Sequence, residues 1–283
     1  MQSIAEKLRE LAQRGERLQR MGTPASDHLP LQCGIVYGPV RSRRLGLSLG
    51  VNILPTTYKL CSFNCVYCQY GWTMKPTLEV DEKVHALPKP EKVAADLERS
   101  FREILRHRTP IDAVTFSGNG EPTLHPRLGE IVEIARSLRD RYLPKVKLTI
   151  LSNSSTVGKP EVRDALKKFD LKMMKLDAGN EELFQDLNGP ASGIYLGEIV
   201  AGLKSLDDVV IQSMFVQGRV TNVDPGSIET WLHEIAEVKP RLVQVYSLDR
   251  EPAEKKLWKV SMPTLQWIAN QVRFRVGVPA EVY

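Results

Sequence analysis

The chain has 283 residues, 42% hydrophobic and 26% charged, a profile typical of a globular protein with a sizeable core. Lys and Arg number 39 and Asp and Glu 34, so the net charge of +5 permits contact with RNA or an acidic partner without requiring it. No apolar run approaches the ~20 residues of a membrane-spanning helix. The charged N-terminus lacks the apolar core of a secretory signal, so we expect a cytoplasmic protein.

The first thirty residues predict a helical extension that precedes the main domain. Apolar residues recur near helical spacing at Ile4, Leu8 and Leu11, with charged residues between them, which is typical of an amphipathic helix. Gly, Pro, Ser and Asp then break the pattern. We therefore expect an N-terminal helical extension over residues 1–30 and the main domain over residues 31–283.

Beyond the extension, short apolar segments alternate with amphipathic ones. The apolar segments have the length of buried strands, and the amphipathic ones carry apolar residues on one helical face. Alternation of this kind predicts parallel βαβ units, and a series of six strands predicts an α/β fold of the partial (β/α)6 barrel type. Functional sites in such folds lie at the carboxyl ends of the strands. The predicted strands are 47–54, 111–116, 146–151, 171–176, 209–216 and 242–246, and the predicted helices are 90–106, 128–142, 161–169, 194–206, 228–238 and 264–276.

Three of the four cysteines lie close together after the first predicted strand. Cys61, Cys65 and Cys68 have the spacing C-x3-C-x2-C. In a chain without an export signal, clustered cysteines indicate metal ligands or catalytic thiols rather than disulfides. Three thiolates on a [4Fe–4S] cluster leave one iron without a protein ligand, and an open position lets a metal centre bind and transform a substrate.

A zinc site is the alternative interpretation of these cysteines. A closed structural zinc site needs four ligands, commonly arranged as two paired knuckles. Cys65 and Cys68 form one knuckle-like pair, and His85 is available as a further ligand, but its spacing fits no common zinc finger. Spacing alone therefore leaves zinc open.

A glycine-rich loop follows the second predicted strand. It contains Gly118, Asn119, Gly120 and Glu121. Glycines at a strand end let the main chain approach a ligand closely, whereas an ordinary strand–helix turn is the alternative. The position of this loop, one βα unit after the cysteines, favours the ligand-binding interpretation.

The cysteine spacing, with Tyr67 directly before the last cysteine, resembles the signature of the radical S-adenosylmethionine (SAM) superfamily. The resemblance implies a radical SAM enzyme in which Cys61, Cys65 and Cys68 hold a [4Fe–4S] cluster whose fourth iron chelates SAM. It further implies that reduced flavodoxin or ferredoxin supplies an electron, and that the C–S bond of SAM breaks to give methionine and a 5′-deoxyadenosyl radical. That radical then abstracts hydrogen from a substrate.

The same resemblance implies a set of cofactor-binding residues at the strand ends. Residues 118–121 match the motif that contacts the methionyl amino group. Ser152 and Asn153 face the carboxylate or ribose of the cofactor, or instead cap the next helix. Asp177 bonds ribose hydroxyls or faces the substrate, and Gln212 lies within a strand, where a buried amide needs a partner. The implied set is Tyr67, Gly118, Asn119, Gly120, Glu121, Ser152, Asn153, Asp177 and Gln212.

Three further segments, at 37–50, 171–180 and 243–250, resemble a compact radical SAM subgroup. That subgroup is related to the enzyme that builds the wyosine base of phenylalanine tRNA. The resemblance implies tRNA modification as the first hypothesis, with modification of a peptide, a protein or a small molecule as the alternative. A hypothesis of another class is a non-catalytic, RNA-associated module with a structural metal, which the basic balance supports.

Cys33 and Arg250 are the candidates on the substrate side. We expect Cys33 to be a small buried thiol, and the alternative is a reactive thiol near the substrate. Arg250 follows the last predicted strand, where it contacts substrate or pairs with Asp249 or Glu251. His125 follows the glycine-rich loop, and we expect it to cap the next helix.

Overall fold

A computed structural model describes residues 28–82 and 84–283. The described chain forms two compact units. The N-terminal unit comprises Pro30–Phe63 and Thr73–Met174, and the C-terminal unit comprises Asn64–Trp72 and Lys175–Tyr283 together with residues 28 and 29. The predicted helical extension falls almost wholly outside the described residues, and a single main domain over residues 31–283 stays a prediction.

The N-terminal unit contains five strands. β1 and β2 form an antiparallel hairpin, and β2, β3, β4 and β5 pair in that order as parallel neighbours. The sequence does not predict β1, because Gly38, Pro39 and exposed polar residues break its apolar pattern. The bounds are β1 Val36–Ser42, β2 Gly46–Val51, β3 Ala113–Phe116, β4 Lys147–Ser152 and β5 Leu171–Lys175.

Three helices connect these strands. Pro90 occupies the first turn of α1, where its missing N–H is not needed, and the helix buries Val93, Leu97 and Phe101 on one face. α2 has the bounds that the sequence predicts, and α3 lies within one to three residues of its predicted bounds. The bounds are α1 Pro90–His107, α2 Leu128–Tyr142 and α3 Pro160–Leu166, with a 3-10 turn at Pro122–Leu124 after the glycine-rich loop.

The C-terminal unit contains four strands. β6, β7 and β9 are parallel neighbours in that order, and β8 pairs antiparallel with the end of β6. β8 and β9 are three-residue strands, too short for the sequence pattern to reveal. The bounds are β6 Val209–Gly218, β7 Leu242–Ser247, β8 Leu257–Lys259 and β9 Ala280–Val282.

Four helices complete the C-terminal unit, and the sequence does not predict α4, the first of them. Asn180 caps α4 by accepting a hydrogen bond from the Leu183 N–H, and Gly189 ends it in a left-handed conformation. With one short apolar stripe, α4 gives a weak periodic signal. The bounds are α4 Glu181–Asn188, α5 Leu196–Lys204, α6 Pro225–Val238 and α7 Met262–Gln271, which continues as a π-helical turn at Val272–Val276.

Strands and helices alternate through most of both units, so the predicted α/β class is confirmed. Within the described residues, no helix combines the length and the apolar character needed to cross a membrane.

Candidate functional site

The carboxyl end of α4 holds the middle of the cysteine segment. The last carbonyls of a helix have no partner within the helix. Here the Asn64 N–H donates to the carbonyls of Asn188 and Gly189, both at 2.9 Å, and the Val66 N–H donates to the Leu187 carbonyl at 3.1 Å. These bonds fix Cys65, which lies between the two donors, against the end of α4.

The second half of the motif is a compact turn. The Cys68 N–H donates to the Cys65 carbonyl at 3.1 Å, and the Gly71 N–H donates to the Cys68 carbonyl at 3.1 Å. Both cysteines are partly exposed. The C-x2-C spacing is therefore a hydrogen-bonded turn, in which Cys65 and Cys68 bracket one tight bend of the chain.

A buried polar network surrounds Tyr67. The Tyr67 hydroxyl donates to the Asp177 carboxylate and accepts from the Asn188 side-chain amide at 2.9 Å. Lys175 Nζ lies 4.7 Å from the centre of the Tyr67 ring, in cation–π geometry. Burial raises the pKa of Tyr67 well above its usual value, and the charge of Asp177 raises it further. The hydroxyl therefore stays protonated as a donor.

Protein donors fill the acceptor positions of Asp177. Its Oδ1 accepts from the Met214 N–H at 2.8 Å and from Lys175 Nζ at 2.8 Å, and its Oδ2 accepts from Tyr67 and Asn188. A carboxylate accepts about four hydrogen bonds. The contacts of Asp177 are thus those of a residue that positions its neighbours, and its contact with the cofactor stays a prediction.

Lys175 is protonated although its side chain is only 15% exposed. Burial disfavours the charged form, but the carboxylate of Asp177 and the hydroxyl of Tyr246, 2.8 Å from Nζ, raise the pKa of Lys175. This lysine therefore acts as a fixed cation over the Tyr67 ring.

In the N-terminal unit, the glycine-rich loop holds the chain that leads into Cys61. The Leu60 N–H donates to the Asn119 carbonyl at 2.9 Å, and the Glu121 N–H donates to the Leu60 carbonyl at 3.1 Å. Gly120 lies between the two contacts, in the left-handed region at φ 141°. These bonds place the loop directly beside Cys61, which is buried.

The side chain of Asn119 supports the loop rather than facing outward. Its amide donates to the carbonyls of Gln32 and Pro55 at 3.0 and 2.8 Å, and its oxygen accepts from the Gln32 N–H at 2.8 Å. The buried Asn52, which the sequence does not single out, accepts from the Asn119 N–H at 3.1 Å. Any contact of Asn119 with a ligand would therefore be made by its main chain.

Glu121 ties the loop to the end of β4. Its Oε1 accepts from Ser152 Oγ at 2.9 Å and from both the N–H and the hydroxyl of Thr123, while its Oε2 accepts from the Asn153 N–H at 2.5 Å. Burial raises the pKa of the Glu121 carboxyl, against these donors, which favour the ionised form. The structure thus brings together residues of the predicted set from two strand ends.

The Asn153 side chain reaches the first cysteine. Its Nδ2 lies 3.6 Å from Cys61 Sγ and donates to Ser62 Oγ at 2.9 Å. Its Oδ1 accepts from the Ser155 N–H at 2.9 Å. Asn153 therefore supports the loop after β4, and its amide also faces a thiol. It does not cap the next helix, α3, whose N-cap residue is Lys159.

Three other residues that the sequence singles out have distinct surroundings. Gln212 is buried and donates to the Gln244 side chain at 2.8 Å, which supplies the partner that it needs. Arg250 is exposed. The expectation that Cys33 is buried is wrong: its thiol is exposed, because residues 31–33 lie in an open segment before β1.

The expectation that His125 caps the next helix is wrong: Arg127 is the N-cap residue of α2, and no side chain makes a cap hydrogen bond there. His125 instead braces the turn that leads into α2. Its Nδ1 accepts from the Arg127 N–H at 3.1 Å, which fixes the tautomer and makes Nε2 the donor to the Pro88 carbonyl at 3.1 Å. Burial lowers the pKa of His125, which favours its neutral form.

Comparison with known families matches residues 56–246 to the model described as the radical SAM superfamily. The match includes the cysteine segment, the glycine-rich loop and the parallel strands β3 to β6. The chain belongs to the radical SAM superfamily. Its parallel strands and intervening helices are those of a radical SAM domain, and the predicted resemblance to this family is confirmed.

The chain is also similar in sequence to several proteins named UPF0026. UPF0026 protein MJ1312 of Methanocaldococcus jannaschii is 33% identical over 225 residues, which are 78% of this chain and 65% of that protein. The chain thus spans slightly less than two thirds of that relative.

Two solved structures share the radical SAM fold. A radical SAM methyltransferase from Sphaerobacter thermophilus has a TM-score of 0.60 at 15% identity, covering 83% of this chain and 65% of that one. TYW1 with a bound lysine–pyruvate adduct has a TM-score of 0.53 at 18% identity, covering 80% of this chain and 72% of that one. At these identities the likeness establishes a common fold.

Proposed function

We propose that Cys61, Cys65 and Cys68 hold a [4Fe–4S] cluster with one iron left for SAM. The observation that carries this proposal is the C-x3-C-x2-C spacing inside the matched residues 56–246. None of the four cysteines, all within the described residues, forms a disulfide. Among the described residues, no three His, Cys, Asp or Glu side chains lie close enough together to hold a metal ion. The support for the cluster is therefore the spacing of the cysteines and the family match.

The donor set fits an iron–sulfur cluster. Thiolates are the ligands of such clusters, and N–H groups that face the sulfurs stabilise their negative charge. Asn153 and Asn188 each place a side-chain amide 3.6 Å from a cysteine sulfur, of Cys61 and Cys65 respectively. When bound, the cluster supplies the electron that cleaves SAM to methionine and a 5′-deoxyadenosyl radical, which takes hydrogen from the substrate.

The glycine-rich loop is the proposed holder of the methionyl amino group. Within the described chain, Glu121 Oε2 accepts a single hydrogen bond, from the Asn153 N–H. A carboxylate oxygen has room for a second donor, and a neighbouring ammonium group favours the ionised form of a buried carboxyl. These two facts support a role for Glu121 in binding an ammonium group.

SAM cleavage needs an external one-electron reductant. We propose reduced flavodoxin or ferredoxin as the donor, and the cytoplasm, where these carriers act, as the compartment.

We propose tRNA as the substrate. The support is the basic balance of +5 and the resemblance of three sequence segments to the subgroup related to wyosine-base formation. Positive charge favours association with a polyanion.

Anaerobic reconstitution with iron and sulfide, followed by reduction with dithionite in the presence of SAM, tests the cofactor chemistry. We expect about four irons and four sulfides per chain and formation of 5′-deoxyadenosine and methionine in equal amounts. Cys33→Ala, which changes a cysteine outside the motif, is the matched control and should retain both; Cys68→Ala should lose 5′-deoxyadenosine formation. Zinc without sulfide in the purified protein, or a fully loaded protein that forms no 5′-deoxyadenosine, would contradict the proposal.

The substrate proposal has its own experiment. The loaded enzyme is incubated with SAM, reduced flavodoxin and total tRNA from cells that lack the gene, and the tRNA is digested for nucleoside mass spectrometry. We expect a nucleoside of changed mass together with more 5′-deoxyadenosine than without tRNA. Stimulation by a peptide or small-molecule extract, with tRNA inert, would assign the substrate to those classes.

A further inference from the structure

Asn188, the last residue of α4, faces a cysteine of the motif with a hydrogen-bond donor. Its Nδ2 lies 3.6 Å from Cys65 Sγ, 2.9 Å from the Tyr67 hydroxyl and 3.1 Å from Asp177 Oδ2. The residue is 2% exposed, so water does not satisfy its amide. Neither its position in the sequence nor the set implied by the family resemblance singles it out.

The surroundings of Asn188 fix which end of its side chain faces the sulfur. Asp177 Oδ2 is an acceptor, and the Tyr67 hydroxyl already donates its hydrogen to Asp177. The amide group, rather than the carbonyl oxygen, must therefore point at these two groups. The same Nδ2, which carries two hydrogens, also lies within hydrogen-bond distance of Cys65 Sγ.

The main chain around Cys65 disfavours negative charge on its sulfur, whereas a hydrogen-bond donor such as the Asn188 amide favours it. The carboxyl end of α4, with its partial negative charge, lies against the cysteine segment through the carbonyls of Leu187, Asn188 and Gly189. A helix end of this sign disfavours additional negative charge on Cys65. The side chain of Asn188 thus supplies a donor beside carbonyls that repel the charge.

We propose that Asn188 is a positioning residue that raises the reduction potential of the cluster by donating a hydrogen bond to Cys65 Sγ. This proposal rests on the proposed function, because it requires Cys65 to be a cluster ligand. Reduction adds an electron whose charge is shared with the sulfurs, and hydrogen bonds to the sulfurs of an iron–sulfur cluster are among the factors that set its potential. Tyr67 and Asp177 hold the amide in the required orientation.

Asn153 makes the corresponding contact in the N-terminal unit, with Cys61 Sγ. It also belongs to the residues predicted to contact SAM, so its substitution would change cofactor binding and potential together. Substitution of Asn188 should change the reduction potential without removing a residue that is predicted to contact SAM.

The experiment compares wild type, Asn188→Leu and Tyr246→Phe in a redox titration of the reconstituted cluster, followed by EPR without SAM. Leucine has nearly the shape of asparagine and no donor. Tyr246→Phe removes the hydroxyl that contacts Lys175 and leaves the Asn188 amide in place, so it is the control for disturbance of the network. Iron and sulfide are measured first in all three proteins.

We expect the ratio of reduced to oxidised cluster at a fixed potential to fall roughly tenfold in Asn188→Leu, the effect of one charge-assisted hydrogen bond, and to stay within about twofold in Tyr246→Phe. Equal potentials in fully loaded wild type and Asn188→Leu would overturn this proposal and leave the proposed function intact. A wild type that binds no cluster would instead refute the proposed function.

A measurement on the wild type covers the case in which Asn188→Leu does not fold. Asparagine labelled with 15N at the side-chain amide is incorporated, and the reduced cluster is examined by pulsed EPR. We expect 15N couplings from the amides near Cys61 and Cys65. Absence of any side-chain 15N coupling overturns the proposal, and the smaller variant Asn188→Ala must show the lowered potential if it folds.

Discussion

Gly120 lies so close to Leu60 that no side chain fits between them. A Cβ added to Gly120 would be 1.7 Å from the Leu60 carbonyl oxygen, and φ is 141°, which L-residues rarely adopt. The close approach produces the parallel bridge between Leu60 and Gly120, one residue before Cys61. The glycine is therefore required for the contact between loop and cysteine segment.

We predict that Gly120→Ala lowers the free energy of unfolding by at least about 2 kcal/mol and reduces iron incorporation. Urea unfolding of the apoprotein and iron analysis after reconstitution measure the two effects. Gly158→Ala is the matched control in the same unit, because its Cβ meets no atom within 4 Å, and it should change neither. Equal effects of the two substitutions would contradict this account.

His125 makes a pH-dependent contribution to stability. Burial lowers its pKa in the folded protein, whereas in the unfolded chain the pKa is near 6.5. Below about pH 6.5 the histidine of the unfolded chain is protonated while that of the folded protein stays neutral. The stability from the hydrogen bonds of the neutral imidazole is therefore present above that pH and is lost as pH falls toward the folded pKa.

We therefore predict that the wild type loses more unfolding free energy than His125→Asn between pH 7.5 and pH 5.5. Asparagine retains an acceptor for the Arg127 N–H, two residues on, and has no titrating group, so the difference between the proteins isolates this histidine from the other four. Urea unfolding at the two pH values gives the difference. A parallel decline of both proteins would refute the assignment.

The sequence predicts some of these residues and not others, for a physical reason. Cysteine spacing and a glycine-rich strand end are local patterns, so Cys61 and the loop at 118–121 are visible in the sequence. Asn188 lies 123 positions from Cys65 along the chain and reaches it only through the fold, while Asn52 supports the loop from a strand end. No local pattern marks such partners.

At the scale of elements, α6 packs directly against the chain after β5. A Cβ on Gly179 would be 2.1 Å from main-chain atoms of Thr230 and Trp231 in α6. Trp231 is 1% exposed and donates its indole N–H to the Leu176 carbonyl at 3.0 Å. Its ring packs edge-to-face against Phe215, with 5.0 Å between the ring centroids. The packing of α6 thereby fixes the chain beside Asp177.

We predict that Gly179→Ala costs about 1–3 kcal/mol, the usual penalty for overpacking, because the main chain of α6 must shift. Gly197→Ala, in the first turn of α5 with no atom within 4 Å of the added Cβ, should be neutral or stabilising by up to about 1 kcal/mol. Thermal unfolding of both variants measures the contrast. A destabilised Gly197→Ala beside an unaffected Gly179→Ala would contradict the packing described.

Elements differ in how well the sequence predicts them. α2 is predicted to the residue because its apolar positions recur over four turns. α4 is not predicted because its eight residues make only about two turns, too few for its apolar positions to show a helical repeat. Its Asn180 cap and the terminal Gly189 are nevertheless visible in the sequence. β1 is missed because its polar, exposed residues do not resemble a buried strand.

Over the whole chain, the parallel strands of each unit follow one another in chain order, so the alternation of strand and helix patterns in the sequence is enough to predict the fold class. The net charge of +5 is likewise a property of the entire chain, and it supports a polyanionic substrate.

EPR of the reduced cluster, recorded with and without SAM, shows whether Cys61, Cys65 and Cys68 hold a [4Fe–4S] cluster with an iron open to SAM. We predict one S = 1/2 signal whose g values change when SAM is added, in wild type and in Cys33→Ala, and no such signal in Cys61→Ala. A wild-type cluster whose spectrum is unaffected by saturating SAM, or a signal that survives loss of Cys61, Cys65 or Cys68 unchanged, would contradict this assignment.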